Sequence, residues 1–133
     1  MHINKKKDGF TKEHLIVIPQ TIMDKIMLHP LIQSLYLTDI GFFPKAQYHH
    51  RERPGGCPQA ILILCVKGEG VIEIGGRKYK LSPNQLILLP ADTPHCYYAD
   101  LVNPWSIHWL HFNGNDRDAF SDIKPRPTQA RWN

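Results

Sequence analysis

Three short stretches of this chain carry side chains suited to binding chemistry: His49-His50-Arg51-Glu52-Arg53-Pro54, His95-Cys96-Tyr97-Tyr98, and Trp105 through Phe112. Alternate residues of a β-strand share a face. In the last stretch Trp105, Ile107, Trp109 and His111 therefore point one way, and Ser106, His108, Leu110 and Phe112 the other. His95 and Tyr97 share a face, with Cys96 and Tyr98 opposite. If both strands line one barrel wall, His95, Tyr97, Trp105 and Trp109 gather in one interior patch. Aromatic faces stack on the apolar C–H faces of sugars and similar ligands, while imidazole and phenol groups fix orientation by hydrogen bonds. The competing reading makes the tryptophans plain core. Arg53 stands just ahead of a long apolar run, and a guanidinium at a barrel mouth grips a hydroxyl or carboxylate with two donors at once. Taken alone, the local residues favour a plainer role, a solvated Arg53 paired with Glu52.

The histidines raise a metal site as an alternative. A first-row metal in a small barrel wants about three imidazoles and a carboxylate converging from neighbouring strands. His49 and His50 are adjacent and so face opposite ways on a strand, His108 and His111 differ in parity, and the carboxylate nearest in sequence is Glu52. The spacing argues against a metal ligand set. No nucleophile–base pair stands out, so no catalytic residue is assigned and no cofactor is expected. Gly68-Glu69-Gly70 lies between strand-like stretches with no helix after it, which makes it a turn rather than a phosphate loop.

These groups need elements to position them. A chain of 133 residues suits one domain. Eleven prolines and nine glycines punctuate it too often for a helical bundle and suit short strands joined by turns. The net charge of +4 is unevenly placed: residues 13–112 hold eight basic and eight acidic side chains, and the excess sits near the ends. A nucleic-acid surface needs positive charge clustered on one face, so direct nucleic-acid binding is not expected. Three cysteines, Cys57, Cys65 and Cys96, form no CxxC pair and leave an odd thiol, which favours a reducing compartment. The N-terminus has lysines but no apolar core of a signal peptide, and no stretch approaches the roughly 20 apolar residues of a membrane span. A cytoplasmic protein without membrane association is expected.

Apolar spacing predicts one short helix at about 21–28, ended by Pro30. Strands follow at 35–43, 60–66, 71–74, 78–81, 85–89, 95–99 and 105–112, separated by Gly, Pro and Asn turns. The run Ala60-Ile61-Leu62-Ile63-Leu64-Cys65-Val66 reads as a central strand covered on both faces. No helix is long enough to cross over between parallel strands, so the pattern points to an antiparallel sandwich or barrel. Residues 1–14 read as a flexible arm, 15–114 as the folded domain, and 115–133 as a flexible tail.

Several blocks in order then resemble a known family: Leu35 to Gly41, Val66-Lys67-Gly68-Glu69-Gly70, Leu88-Leu89-Pro90 to His95, and Pro104-Trp105 to Phe112-Asn113-Gly114. Together they resemble the N-terminal cupin-like sensor domain of AraC-type transcription regulators over about residues 30–114. The resemblance implies an all-β, double-stranded β-helix (jelly-roll) barrel, here with a short N-terminal helix, that binds a small effector, often a sugar. Carried over by position, the ligand-touching arginine falls on Arg53, the tyrosine on Tyr97 and the tryptophan on Trp109, and His95 matches a position commonly histidine. Ile107 stands where a sugar binder can present a further histidine, which departs from arabinose-like specificity. The histidine and glutamate pattern of metal-dependent cupin enzymes is not met. Family members continue into dimer-forming helices and two helix-turn-helix units. Those units need on the order of 100 residues, and 19 follow Gly114, so the expectation is a sensor without its DNA-binding half.

The reading is therefore a non-enzymatic effector-binding domain, with promoter DNA met only through a further domain and a homodimer as a further expectation. Its rival is a small metal-dependent cupin isomerase or dioxygenase. A third reading, a β-domain whose interior is filled core, predicts no cavity large enough for a ligand.

Overall fold

A computed structural model of the chain describes residues 5–120, 122 and 124–130. The strands are β1 (His14–Val17), β2 (Tyr36–Phe43), β3 (His50–Arg53), β4 (Ala60–Lys67), β5 (Gly70–Ile74), β6 (Arg77–Leu81), β7 (Gln85–Leu89), β8 (His95–Ala99), β9 (Ser106–Asn113) and β10 (Thr128–Gln129). They form two sheets, ordered β1-β2-β9-β4-β7-β10 and β3-β8-β5-β6, and neighbours in each are antiparallel. Between the sheets Ile61, Ile63, Cys65, Ile72, Leu81, Ile87, Leu89, Trp105 and Ile107 are buried in one core. This is the expected all-β, cupin-like jelly roll.

The apolar run at 60–66 lies inside its sheet, between β9 and β7. Its inward residues Ile61, Ile63 and Cys65 are fully buried, whereas Leu62 and Leu64 on the outer face are only half-buried. The strand is central as expected, with its outer face covered less completely than its inner one. The single helix expected at 21–28 becomes two, α1 (Gln20–Ile26) and α2 (Pro30–Ser34). Pro30 ends one and opens the other, because a proline at the first helical position has no N–H to lose. The Leu31 N–H bonds to His29 Nδ1 across that start at 3.3 Å.

Strands β1, β3 and β10 add to the expected set. β1 is an edge strand whose four side chains are all exposed, and β3 is wholly polar, so neither carries an apolar alternation. The segments expected to be a loose arm and tail lie against the sheets where they are described. Backbone hydrogen bonds join Lys6 to Tyr48 and His50, and Phe10 is buried with its ring 4.9 Å from that of Phe43. At the other end Arg117 donates to the Pro58 carbonyl and pairs with Asp92, and β10 pairs with β7. Residues 1–4, 121, 123 and 131–133 of those segments lie outside the described residues. No helix among the described residues is long and apolar enough to cross a membrane.

Candidate functional site

The site is built from β2, β3, β8 and β9. Leaving Tyr48, the chain alternates so that His49, Arg51 and Arg53 share the inward face, and β3 pairs with β8 with Arg53 opposite His95 and Arg51 opposite Tyr97. The Arg53 side chain crosses to its neighbours: Nη1 donates to the Tyr97 hydroxyl at 2.9 Å and lies 3.1 Å from His95 Nε2. His95 Nδ1 sits 2.9 Å from the Thr93 carbonyl oxygen, which only an Nδ1–H can bond. That fixes the tautomer and leaves Nε2 to accept from Arg53. Burial is the main cause that pushes the His95 imidazole down to about 4, so it is neutral at pH 7. Burial raises the Tyr97 phenol above its ordinary range, against the pull of Arg53. The three groups form one network in which neutral His95 and Tyr97 hold Arg53 by its Nη1.

Trp109 comes from β9 and lies over β2. There is room for its indole because Gly41 stands opposite: a Cβ at 41 would come within 2.6 Å of Trp109 Cε2 and 2.9 Å of Nε1, and closer still to Cζ2. The Trp109 ring meets Phe43 edge-on at 5.4 Å and lies 5.0 Å from the ring of His111. Its Nε1 is buried without a hydrogen-bond partner. Trp105 differs: it is fully buried, and its Nε1 donates to His49 Nδ1 at 3.0 Å. Burial chiefly, with the nearby charges of His50, Arg53 and Arg51, pushes His49 down to about 3, which keeps it neutral. Deeper in β2, Asp39 pairs with His111 at 3.1 Å and accepts from the Thr38 hydroxyl at 2.6 Å. Burial alone would raise the Asp39 carboxyl. Hydrogen bonds from His111 and Thr38, with the charges of His111 and Arg53, outweigh it and hold the carboxyl below the usual range.

These side chains enclose a chamber of about 210 Å³ between the sheets, walled by Phe43, His49, Arg51, Arg53, Tyr97 and Trp109 among others. Arg51, Arg53, Asp39 and His111 also line a wider mouth of about 930 Å³ beneath Met23 and Met27 at α1. The space between the sheets is therefore not packed solid at this end, which speaks against the filled-core reading.

Of the residues singled out from sequence, Arg53, Tyr97 and Trp109 converge on the chamber, and His95 sits behind Arg53 rather than on the chamber wall. Arg53 turns to His95 and Tyr97 rather than to Glu52, so its pairing with Glu52 is corrected. Trp105 leaves the interior patch for the core. Sequence reasoning missed Arg51, His49 and the Asp39–His111 pair. The signal was there in parity: 49, 51 and 53 alternate inward, as do Phe43, Gly41 and Asp39, up to a bulge between Leu37 and Asp39. Among the described residues no group of three His, Cys, Asp or Glu side chains converges on a point where it could hold a metal ion.

A jelly roll that keeps a polar chamber open to one end belongs to the class of cupin-like binding barrels. Within that class the chain belongs to the AraC-like ligand binding domain family, whose model matches residues 40–130. It is 32% identical over 102 residues to the MmsAB operon regulatory protein of Pseudomonas aeruginosa, across 74% of this chain and 33% of that protein. It is 33% identical over 55 residues to the Msm operon regulatory protein of Streptococcus mutans, across 41% of this chain and 20% of that protein. The matches thus span a third or less of these relatives' length. The crystal structure of YhaK from Escherichia coli has a similar fold, with a TM-score of 0.57 at 10% identity over 91% of this chain and 52% of that one.

Proposed function

We propose that this chain is the effector-binding domain of an AraC-type, cytoplasmic transcription regulator and is not an enzyme. The effector is a small polar molecule of the carbohydrate class that enters through the mouth beneath α1. Arg53 and the Tyr97 hydroxyl bond its oxygens, the Trp109 ring covers its C–H face, and His95 holds Arg53 in place. The observation that carries this reading is the buried, unpartnered Nε1 of Trp109 beside an oriented guanidinium. A buried donor without a partner costs about 1–3 kcal/mol, which a ligand oxygen would recover once a small shift of the ring brings Nε1 to the chamber surface. Promoter DNA is met through a separate DNA-binding half, and two effector domains associate as a homodimer. A ligand can shift that regulator only by touching its states differently. Tryptophan fluorescence during titration with a panel of sugars and sugar acids tests the proposal. A saturable response that Trp109→Phe abolishes is expected, and silence of the unsubstituted chain toward the whole panel would refute it.

A further inference from the structure

The chamber's unspent hydrogen-bonding groups say what its ligand must supply. Arg51 lines both chamber and mouth, is half-buried, and makes no side-chain hydrogen bond or ion pair to any described residue. Arg53 commits only Nη1, to Tyr97 and His95, and its Nε and Nη2 make no hydrogen bond to a described residue. The Tyr97 oxygen already accepts from Arg53, so its O–H is left to donate. His49 accepts the Trp105 indole N–H on Nδ1, so as a neutral ring it carries its proton on Nε2. Trp109 adds an indole N–H without a partner. Every one of these unspent groups is a donor. On the acceptor side stand two carboxylates and His111, whose Nδ1 faces Asp39 and whose Nε2 is an acceptor on a neutral ring. Asp39 uses one oxygen for Thr38 and the other for His111, and Asp8 is exposed at the rim.

A wall of donors calls for an acceptor-rich guest. A neutral polyol brings a donor with every hydroxyl acceptor, and those donors meet fewer acceptors than there are donors on the wall: the remaining lone pairs of Asp39 and a ring nitrogen of His111. A carboxylate accepts without donating, and its two oxygens match the planar fork of a guanidinium. Arg51 and Arg53 are two residues apart on one strand, so they share its inward face, and both line the chamber.

We infer that the effector is a small hydroxycarboxylate, such as a sugar acid, whose carboxylate is held between Arg51 and Arg53. This rests on the sensor reading above and narrows it. Arg51 sets specificity by charge, and Arg53 is shared between carboxylate and hydroxyl oxygens. The Trp109 and His49 donors take the remaining oxygens. Neutral sugars of the same size bind more weakly because they leave Arg51 without its counter-charge.

Matched acid and neutral pairs test this on the 133-residue chain: glycerate with glycerol, arabinonate with arabinose, gluconate with glucose. Binding is read by calorimetry and by tryptophan fluorescence. In at least one pair the acid is expected to bind at least tenfold more tightly. Arg51→Gln should lower that acid's affinity at least tenfold and bring the acid-to-neutral ratio toward one, while Arg51→Lys restores part of the loss. Neutral partners binding as well as their acids in every pair would overturn the carboxylate assignment and leave the sensor reading intact. No saturable binding by any of the six would overturn both. If Arg51→Gln melts well below the unsubstituted chain, the acid-to-neutral ratio measured on the unsubstituted chain decides alone.

Discussion

Gly41 sits opposite Trp109, and replacing it with alanine probes the site from a residue that itself needs to touch no ligand. Gly41 does not adopt positive φ, so Gly41→Ala introduces no backbone strain and its effect is purely steric. The new methyl would lie 2.6 Å from Trp109 Cε2 and 2.9 Å from Nε1, well inside van der Waals contact. Either the indole leaves its place against β2 or the β2–β9 pairing shifts. Overpacking of this kind costs about 1–3 kcal/mol. For a domain of this size that lowers the melting temperature by roughly 4–12 °C. The same displacement moves Nε1 within the chamber, so effector affinity should fall at least tenfold. Thermal melts of Gly41→Ala, Trp109→Leu and the double variant separate the causes, because residues in contact are non-additive. The alanine should cost much less once the indole is gone. A single variant that melts within about 1 °C of the parent, or a cost unchanged in the Trp109→Leu background, would refute the packing argument.

The other expectations can be checked together. His49 and His95 titrate at about 3 and 4 in the folded chain but at the ordinary 6.5 when unfolded, so the unfolded state binds more protons as pH falls. Their stabilising contribution is complete above about 6.5 and is lost on acidification, on the order of 2 kcal/mol per histidine at pH 5. Urea unfolding at pH 7 and pH 5 measures this, and a stability that does not fall would contradict it. His49→Phe leaves the buried Trp105 indole N–H without its acceptor and should cost about 1–3 kcal/mol in the same assay; a change under about 0.5 kcal/mol would show the bond to be dispensable. Arg53→Lys cannot hold Tyr97 and His95 while presenting a planar fork, so effector affinity should fall at least tenfold despite the retained charge. Calorimetry showing unchanged affinity would remove Arg53 from the site.

Period and punctuation made most of the barrel readable. Strands β4 to β9 announce themselves through a continuous apolar run at β4 and short apolar stretches after it, bounded by Gly, Pro and Asn, and the inward parity of Tyr97 and Trp109 followed directly. β1 and β3 escaped notice because their side chains carry no apolar alternation: their strand character comes from backbone pairing with β2 and β8, which no local pattern records. The second helix escaped because Pro30 is both a stop and a favourable start. In the site, the roles of Arg53 and His95 depended on contacts across strands more than forty residues apart in sequence. The local neighbour Glu52 suggested a different partner for Arg53, and it lies on the opposite face of β3. Asp39 acquires its role only where β2 meets β9 and sets it against His111.

The central claim is that a ligand oxygen completes the Trp109 indole N–H inside a donor-lined chamber. The ¹⁵N–¹H resonance of that indole, assigned by Trp109→Phe and followed during effector titration, addresses it directly. Trp105 provides the internal control, since its N–H is already bonded to His49. The account predicts a large downfield proton shift for Trp109 that saturates with binding, alongside a small change at Trp105. A bound effector that leaves the Trp109 resonance in place would contradict it.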